Sequence, residues 1–214
     1  ERYITGDASD KEKFLKWAKV LGKAIGNPLF HWSHLELQKY FNYHGVLNKN
    51  TAEEVWELGN KRLADPDMTV RNIIKQSNVT LIGTTDDPVD SLEWHKKIAE
   101  DKTFDVQVLP SWRPDKAMNL EKVTYLDYIA QLSEVSGVKI NTFADLCKAL
   151  TVRMDYFGSL GCRVSDHGLE YVMYAPASAE EIESIFAKRI KGDTVTREEE
   201  IKFKTAFMIF VGKE

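Results

Sequence analysis

The chain has 214 residues, of which 43% are hydrophobic and 29% charged, enough apolar material for one large core or two small ones. A formal charge of −4 and an isoelectric point near 5.8 argue against a nucleic-acid surface, because phosphate binding needs clustered Lys and Arg. No apolar run approaches the ~20 residues that span a bilayer, and the opening stretch ERYITGDASDKEK has neither the basic nor the apolar region of a signal peptide. The expectation is a cytoplasmic protein with no membrane partner, in which Cys147 and Cys162, both set in apolar patterns, are reduced thiols.

Residues 1–78 read as a helical region. Asp7 to Asp10 offers caps before the apolar stripe Phe14, Leu15, Trp17, Ala18 and Leu21. Asn27-Pro28 is expected to break that run, and His31 to Phe41 forms a second helical piece. Thr51-Ala-Glu-Glu54 reads as a capping box opening a helix through Val55, Trp56, Leu58 and Leu63, which Asp65-Pro66 stops. Thr69 to Gln76 is a further short helix. Trp17, Trp56 and Trp94 lie on apolar helical faces and are expected in the core.

Residues 79–214 change pattern. Val79 to Thr85 is short, apolar and β-branched, as a buried strand would be. Phe104 to Leu109 is a second strand and Cys162 to Val164 a third, with helices between them: one through Leu92 and Ile98, then roughly 119–135 and 142–160, closed by Gly161. Ser178 with Glu181, and Thr196 with Glu199, read as two more capping boxes. Alternating strands and helices argue for an α/β fold with parallel strands and helical crossovers, either a barrel or a doubly wound sheet.

Each strand ends in charge: Asp86-Asp87, then Arg113 with Asp115, then Asp166-His167. In parallel α/β folds the carboxyl ends of the strands form the active face. Asp166 and His167 suit an acid–base pair; a turn Asp with a hydrogen-bonded His is the plain alternative. Arg113, stiffened between Trp112 and Pro114, can grip a carboxylate in bidentate fashion; a surface ion pair is the plain alternative. Asp86-Asp87 either faces a ligand or caps a helix starting at Pro88. His31 and His34 are three apart and could share a helix face, but no third metal ligand is near them. Arg197 to Glu200 reads as a solvated first helical turn.

The stretches ERYITGDASD, NPLFHWSHLEL, TAEEVWE, TTDDPVDSLEWH, LPSWRPDKA and GCRVSDHGL together resemble the uronate (glucuronate) isomerase family of the amidohydrolase superfamily, in the family's order over almost the whole chain. The resemblance implies part of a distorted (β/α)8 TIM-like barrel with a helical insertion at the N-terminal side. It implies aldose–ketose isomerisation of a hexuronate, D-glucuronate to D-fructuronate or D-galacturonate to D-tagaturonate, by a cytoplasmic enzyme. On the matching motifs, Asp166 and His167 would be catalytic. Arg113 would hold an anionic substrate oxygen. His31, Trp32 and His34 (with Ser33 where Thr is usual) and Asp86 would be substrate contacts. Family members are much longer. Their His-x-His metal pair and later metal-binding Asp have no counterpart here, so the resemblance implies an internal piece, inactive alone, with no cofactor of its own and a divalent, zinc-type metal in the full-length enzyme. Open barrel edges would favour homo-oligomers. A metal-dependent amide or ester hydrolase of the same superfamily, and a stand-alone module binding a sugar acid or a protein, are the other readings.

Overall fold

Ser9 starts the first helix, α1 (Asp10–Leu21): its hydroxyl accepts from the Glu12 amide at 3.3 Å, and the Glu12 carboxylate accepts from the Ser9 amide at 2.9 Å, a reciprocal cap. The computed structural model describes residues 1–214. They fall into two units, Glu1–Val79 and Thr80–Glu214.

The first unit is helical: α1, α2 (Pro28–Phe41), α3 (Ala52–Leu63) and α4 (Val70–Gln76). Asn27-Pro28 opens α2 rather than breaking the chain. The Asn27 side chain accepts from the Leu29 amide at 2.9 Å, and Pro28 sits at the first helical position, where its missing N–H costs nothing. Thr51 does not close a capping box with Glu54. Its hydroxyl instead donates to the Val46 carbonyl at 2.7 Å and accepts from the Asn48 amide at 3.0 Å, stitching the turn before α3. Ala18, Leu21, Leu47 and Val55 make the core. Trp56 packs on Phe14. Trp17 is 38% exposed, so the apolar face is narrower than the sequence stripe suggested.

The second unit runs β1 (Leu81–Gly83), α5 (Glu93–Glu100), β2 (Gln107–Leu109), α6 (Asp115–Met118), α7 (Tyr125–Ser136), α8 (Phe143–Ser159), α9 (Ala179–Ile190) and α10 (Arg197–Val211). The strands pair in parallel, Ile82 opposite Val108, across the α5 crossover. Two strands form, not three. Cys162–Val164 stays outside the sheet except for a single parallel bridge between Ser165 and Trp112. The Arg163 side chain there donates to the Cys162 carbonyl, a local bond that occupies one acceptor a longer ladder could use, and Val164 is exposed. Nor is β1 buried: Leu81 is half exposed.

The main core lies among the helices. Phe186 of α9 stacks on Phe203 of α10 at 6.0 Å, and Phe143 of α8 meets Phe203 edge-on at 5.5 Å. Thr196 and Glu199 exchange cap bonds at the start of α10. Ser178 accepts from the Glu181 amide at 3.2 Å, but the Glu181 carboxylate goes to Lys202 instead. The run Arg197–Glu200 is not simply solvated: Glu200 is buried and accepts from Arg197 and from Lys204 at 2.6 and 2.7 Å. Trp94 of α5, expected inside, is 65% exposed beneath the Lys97 ammonium. No helix is long and apolar enough to cross a membrane.

These placements separate two aromatic substitutions. Phe203→Ala, which empties a fully buried site, is expected to cost about 3–5 kcal/mol. Trp94→Ala is expected to stay within about 0.5 kcal/mol of the parent. Urea midpoints read by circular dichroism check both.

Candidate active site at the strand ends

Parallel pairing continues past the named strands and builds the site. The Asp86 amide donates to the Ser111 carbonyl at 3.1 Å, and the Arg113 amide to the Asp86 carbonyl at 3.0 Å. On the opposite edge the Trp112 amide donates to the Val164 carbonyl at 3.0 Å, and the Asp166 amide to the Trp112 carbonyl at 2.8 Å. Asp86, Trp112 and Ser165 therefore lie side by side. Alternation along an extended chain turns Trp112 inward, 4% exposed and edge-on to Phe157 at 5.0 Å. Its neighbour Arg113 is left partly open to solvent.

Arg113 is held between two carboxylates. Its Nε donates to Asp115 Oδ2 at 2.9 Å, and its Nη1 lies 3.4 Å from Asp166 Oδ2. The bond to Asp115, then the charges of Asp115 and Asp166, raise the guanidinium further above its already high value, so Arg113 is a permanent cation. The Gly168 amide also donates to Asp115 Oδ2, at 2.9 Å. Asp166 is half exposed. His167 is partly buried, and its Nδ1 is shielded from solvent with no hydrogen-bond partner.

Asp86 sits at the same strand ends, but its Oδ2 is turned into the protein. It accepts from the Thr84 hydroxyl at 2.6 Å and the Ser111 amide at 3.2 Å, with His95 Nε2 at 3.7 Å. His95 Nε2 and Thr84 Oγ1 are 2.7 Å apart; with the Thr84 hydrogen on Asp86, His95 is the donor. Asp87 does not cap a helix beginning at Pro88, since α5 begins only at Glu93. It caps a turn through the Val89 amide, at 3.1 Å. The Tyr128 hydroxyl donates to Asp87 Oδ1 at 2.9 Å. Burial and the Asp87 charge push that hydroxyl well above its ordinary pKa, so it stays a donor. Arg153, buried on α8, donates from Nε to the Pro88 carbonyl at 2.6 Å and from Nη2 to the Asp90 carbonyl at 2.8 Å. The loop carrying Asp86 is thus fastened from behind.

His31, Trp32 and His34 belong to the helical unit. His34 is buried and spends both ring nitrogens on backbone: Nδ1–H donates to the Phe30 carbonyl at 2.5 Å and Nε2 accepts from the Leu47 amide at 2.9 Å. It stabilises the α2–α3 connection and leaves no nitrogen for a substrate. His31 and Trp32 are exposed, so the two histidines do not share a face. No three His, Cys, Asp or Glu side chains gather closely enough to hold a metal ion.

Sequence reasoning reached Asp86, Arg113, Asp166 and His167 because each closes an apolar, strand-like run. It missed His95, Tyr128 and Arg153. Tyr128 and Arg153 sit on helices distant in sequence, His95 lies nine residues beyond Asp86 on α5, and an Arg within the stripe of α8 gives no local sign of the loop it will hold.

A family model described as glucuronate isomerase matches residues 1–214. The chain is 69% identical over its whole length to a uronate isomerase of Lachnospira eligens and 66% identical to one of Lachnoclostridium phytofermentans, covering 46% of each. Among solved structures, a uronate isomerase from Thermotoga maritima superposes with a TM-score of 0.90 at 37% identity, over 100% of this chain and 47% of that one. The chain thus spans about half the length of the relatives it matches.

Arg153→Ala strips two loop carbonyls of a charged donor and is expected to cost about 1.5–3 kcal/mol. Amide hydrogen exchange of residues 86–91 should accelerate while that of α10 follows only the global loss. Unchanged exchange in the loop would show that Arg153 does not fasten it.

Proposed function

The chain belongs to the glucuronate isomerase family, and on that footing we propose that the protein interconverts an aldohexuronate and its ketose, D-glucuronate with D-fructuronate or D-galacturonate with D-tagaturonate. The observation that carries the reading is the meeting of Arg113 and Asp166 at 3.4 Å, with His167 beside them, at the carboxyl ends of parallel strands. The two strands and the Ser165 bridge are then consecutive members of a (β/α)8 barrel, and residues 1–78 its helical insertion. Cys147 and Cys162 are not bonded to each other, which suits the cytoplasmic setting we propose.

The chemistry follows from the groups. An aldose becomes a ketose when the proton on C2 leaves, O1 is protonated, and the resulting enediol loses its O2 proton while C1 gains one. Asp166, the more open of the two groups, takes the C2 proton and returns it to C1. His167 exchanges the hydroxyl protons. Arg113, always charged, stabilises the oxygen on which negative charge develops. A divalent metal, where the full-length enzyme carries one, would add a Lewis acid at the carbonyl. The residues of this chain do not themselves form its ligand set.

The test uses the full-length protein. It should convert D-glucuronate or D-galacturonate, and Arg113→Ala and Asp166→Asn should each lower kcat/KM by about 10²-fold or more with circular dichroism unchanged. Full turnover in both variants would remove these residues from the site. Hydrolysis of an amide or ester panel with no uronate conversion would replace the reaction class.

A further inference from the structure

Asp115 makes contacts that the proposed chemistry does not use. It lies two residues beyond Arg113, at the start of the four-residue α6, with its side chain 20% exposed. One oxygen, Oδ2, accepts both from Arg113 Nε and from the Gly168 amide, each at 2.9 Å. The other, Oδ1, is shielded from solvent with no partner. A buried oxygen left unpaired is unusual in a native structure and calls for a reason. The paired oxygen joins two segments remote in sequence: the end of β2, which carries Arg113, and the loop that carries Asp166 and His167.

Gly168 fits the same arrangement. A Cβ built on it would lie 2.7 Å from Arg113 Nη2 and 2.7 Å from Asp115 Oδ2, closer than non-bonded atoms tolerate. The glycine lets the loop backbone approach the guanidinium–carboxylate pair and donate to it. Because Asp115 takes Arg113 by Nε, the guanidinium cannot swing about its stem, and Nη1 is left facing Asp166.

We propose that Asp115 and Gly168 are positioning residues: one carboxylate oxygen sets the orientation of Arg113 and the place of the Asp166-His167 loop together, and the missing side chain at 168 makes the approach possible. The inference rests on the isomerase reading for its kinetic consequence but not for its geometry. A displacement of about 1 Å at reacting groups is enough to cost about 10²-fold in rate. A role confined to the fold would lower stability and leave the guanidinium and kcat as they were.

Three variants of the full-length protein, Asp115→Ala, Asp115→Asn and Gly168→Ala, test this by two readouts. The first is solvent exchange of the Arg113 Nε–H proton in a nitrogen-15 spectrum. It should be slow in the parent and in Asp115→Asn, whose amide oxygen still accepts, and fast in Asp115→Ala. The second is uronate turnover. Asp115→Ala and Gly168→Ala should lose about 10²-fold in kcat with KM within about threefold, and Asp115→Asn should recover most of the loss. Slow exchange in folded Asp115→Ala, or fast exchange with parental kcat, overturns the proposal. Should Asp115→Ala not fold, Gly168→Ala decides in its place, with parental kcat overturning the proposal. Should the parent turn over no uronate, the isomerase reading fails by itself, and Arg113 Nε–H exchange alone decides whether Asp115 pins the guanidinium.

Discussion

The backbone of Trp112 is paired on both edges, to Asp86 on one side and to Ser165 on the other, and the candidate site depends on that double pairing. Side chains cannot bring residues 86, 113 and 166 together unless the main chains that carry them lie parallel within hydrogen-bond reach. The pairing is short, and what reinforces it is burial. Trp112 is driven into the core against Phe157, and extended geometry then sends Arg113 to the other side. The indole N–H is left buried without a partner, a cost that the packing of so large a ring offsets. One aromatic residue thereby anchors the strands and orients the arginine.

The sheet itself is too slight to hold this arrangement. Three-residue strands with an exposed Leu81 bury little, and isolated strand pairs are marginal in water. Stability of the second unit comes from α7 to α10, where Phe143, Phe186, Phe203 and Phe207 meet. The helical layer reaches the site through a few polar side chains. Arg153 and Tyr156 of α8 hold the carbonyls of the loop after β1, and Tyr128 of α7 holds Asp87. Loops that must present reactive groups lack a core of their own; here their carbonyls and carboxylates are bonded to helices that have one.

Legibility in the sequence follows the range of the interactions. Helix starts built from neighbours three residues apart were readable, as at Thr196 with Glu199. Thr51 misled because the same hydroxyl had a better local use, the carbonyl of Val46. Strand positions were readable from apolar runs ending in charge, but strand lengths were not. Length depends on partners along each edge, and the stretch after Gly161 has only a bridge, at Ser165. Asp86 was readable as a strand-end residue. That its carboxylate would turn to Thr84 and Ser111 was not, because the Ser111 amide comes from another strand. His34 looked like half of a pair and proved to be a bracket between two backbone segments.

Arg113 faces two aspartates that differ in everything that decides a role. Asp115 is close, mostly buried and bonded to a second donor, so its geometry is fixed from two directions. Asp166 is farther, half exposed and touches the guanidinium through a long contact. One arginine between two equally tight carboxylates would have its charge neutralised from both sides and would offer less to a ligand. Unequal partners avoid this. The tight one consumes Nε, the donor least suited to an incoming oxygen, and the loose one leaves the terminal nitrogens able to exchange partners. On the proposed chemistry Asp166 accepts a proton and surrenders it again, so it cannot also be the group that holds the site in place, because its bonds change with each transfer. Separating, on that chemistry, the holding carboxylate from the reacting one resolves that conflict, and the single residue Pro114 between Arg113 and Asp115 suffices to do it.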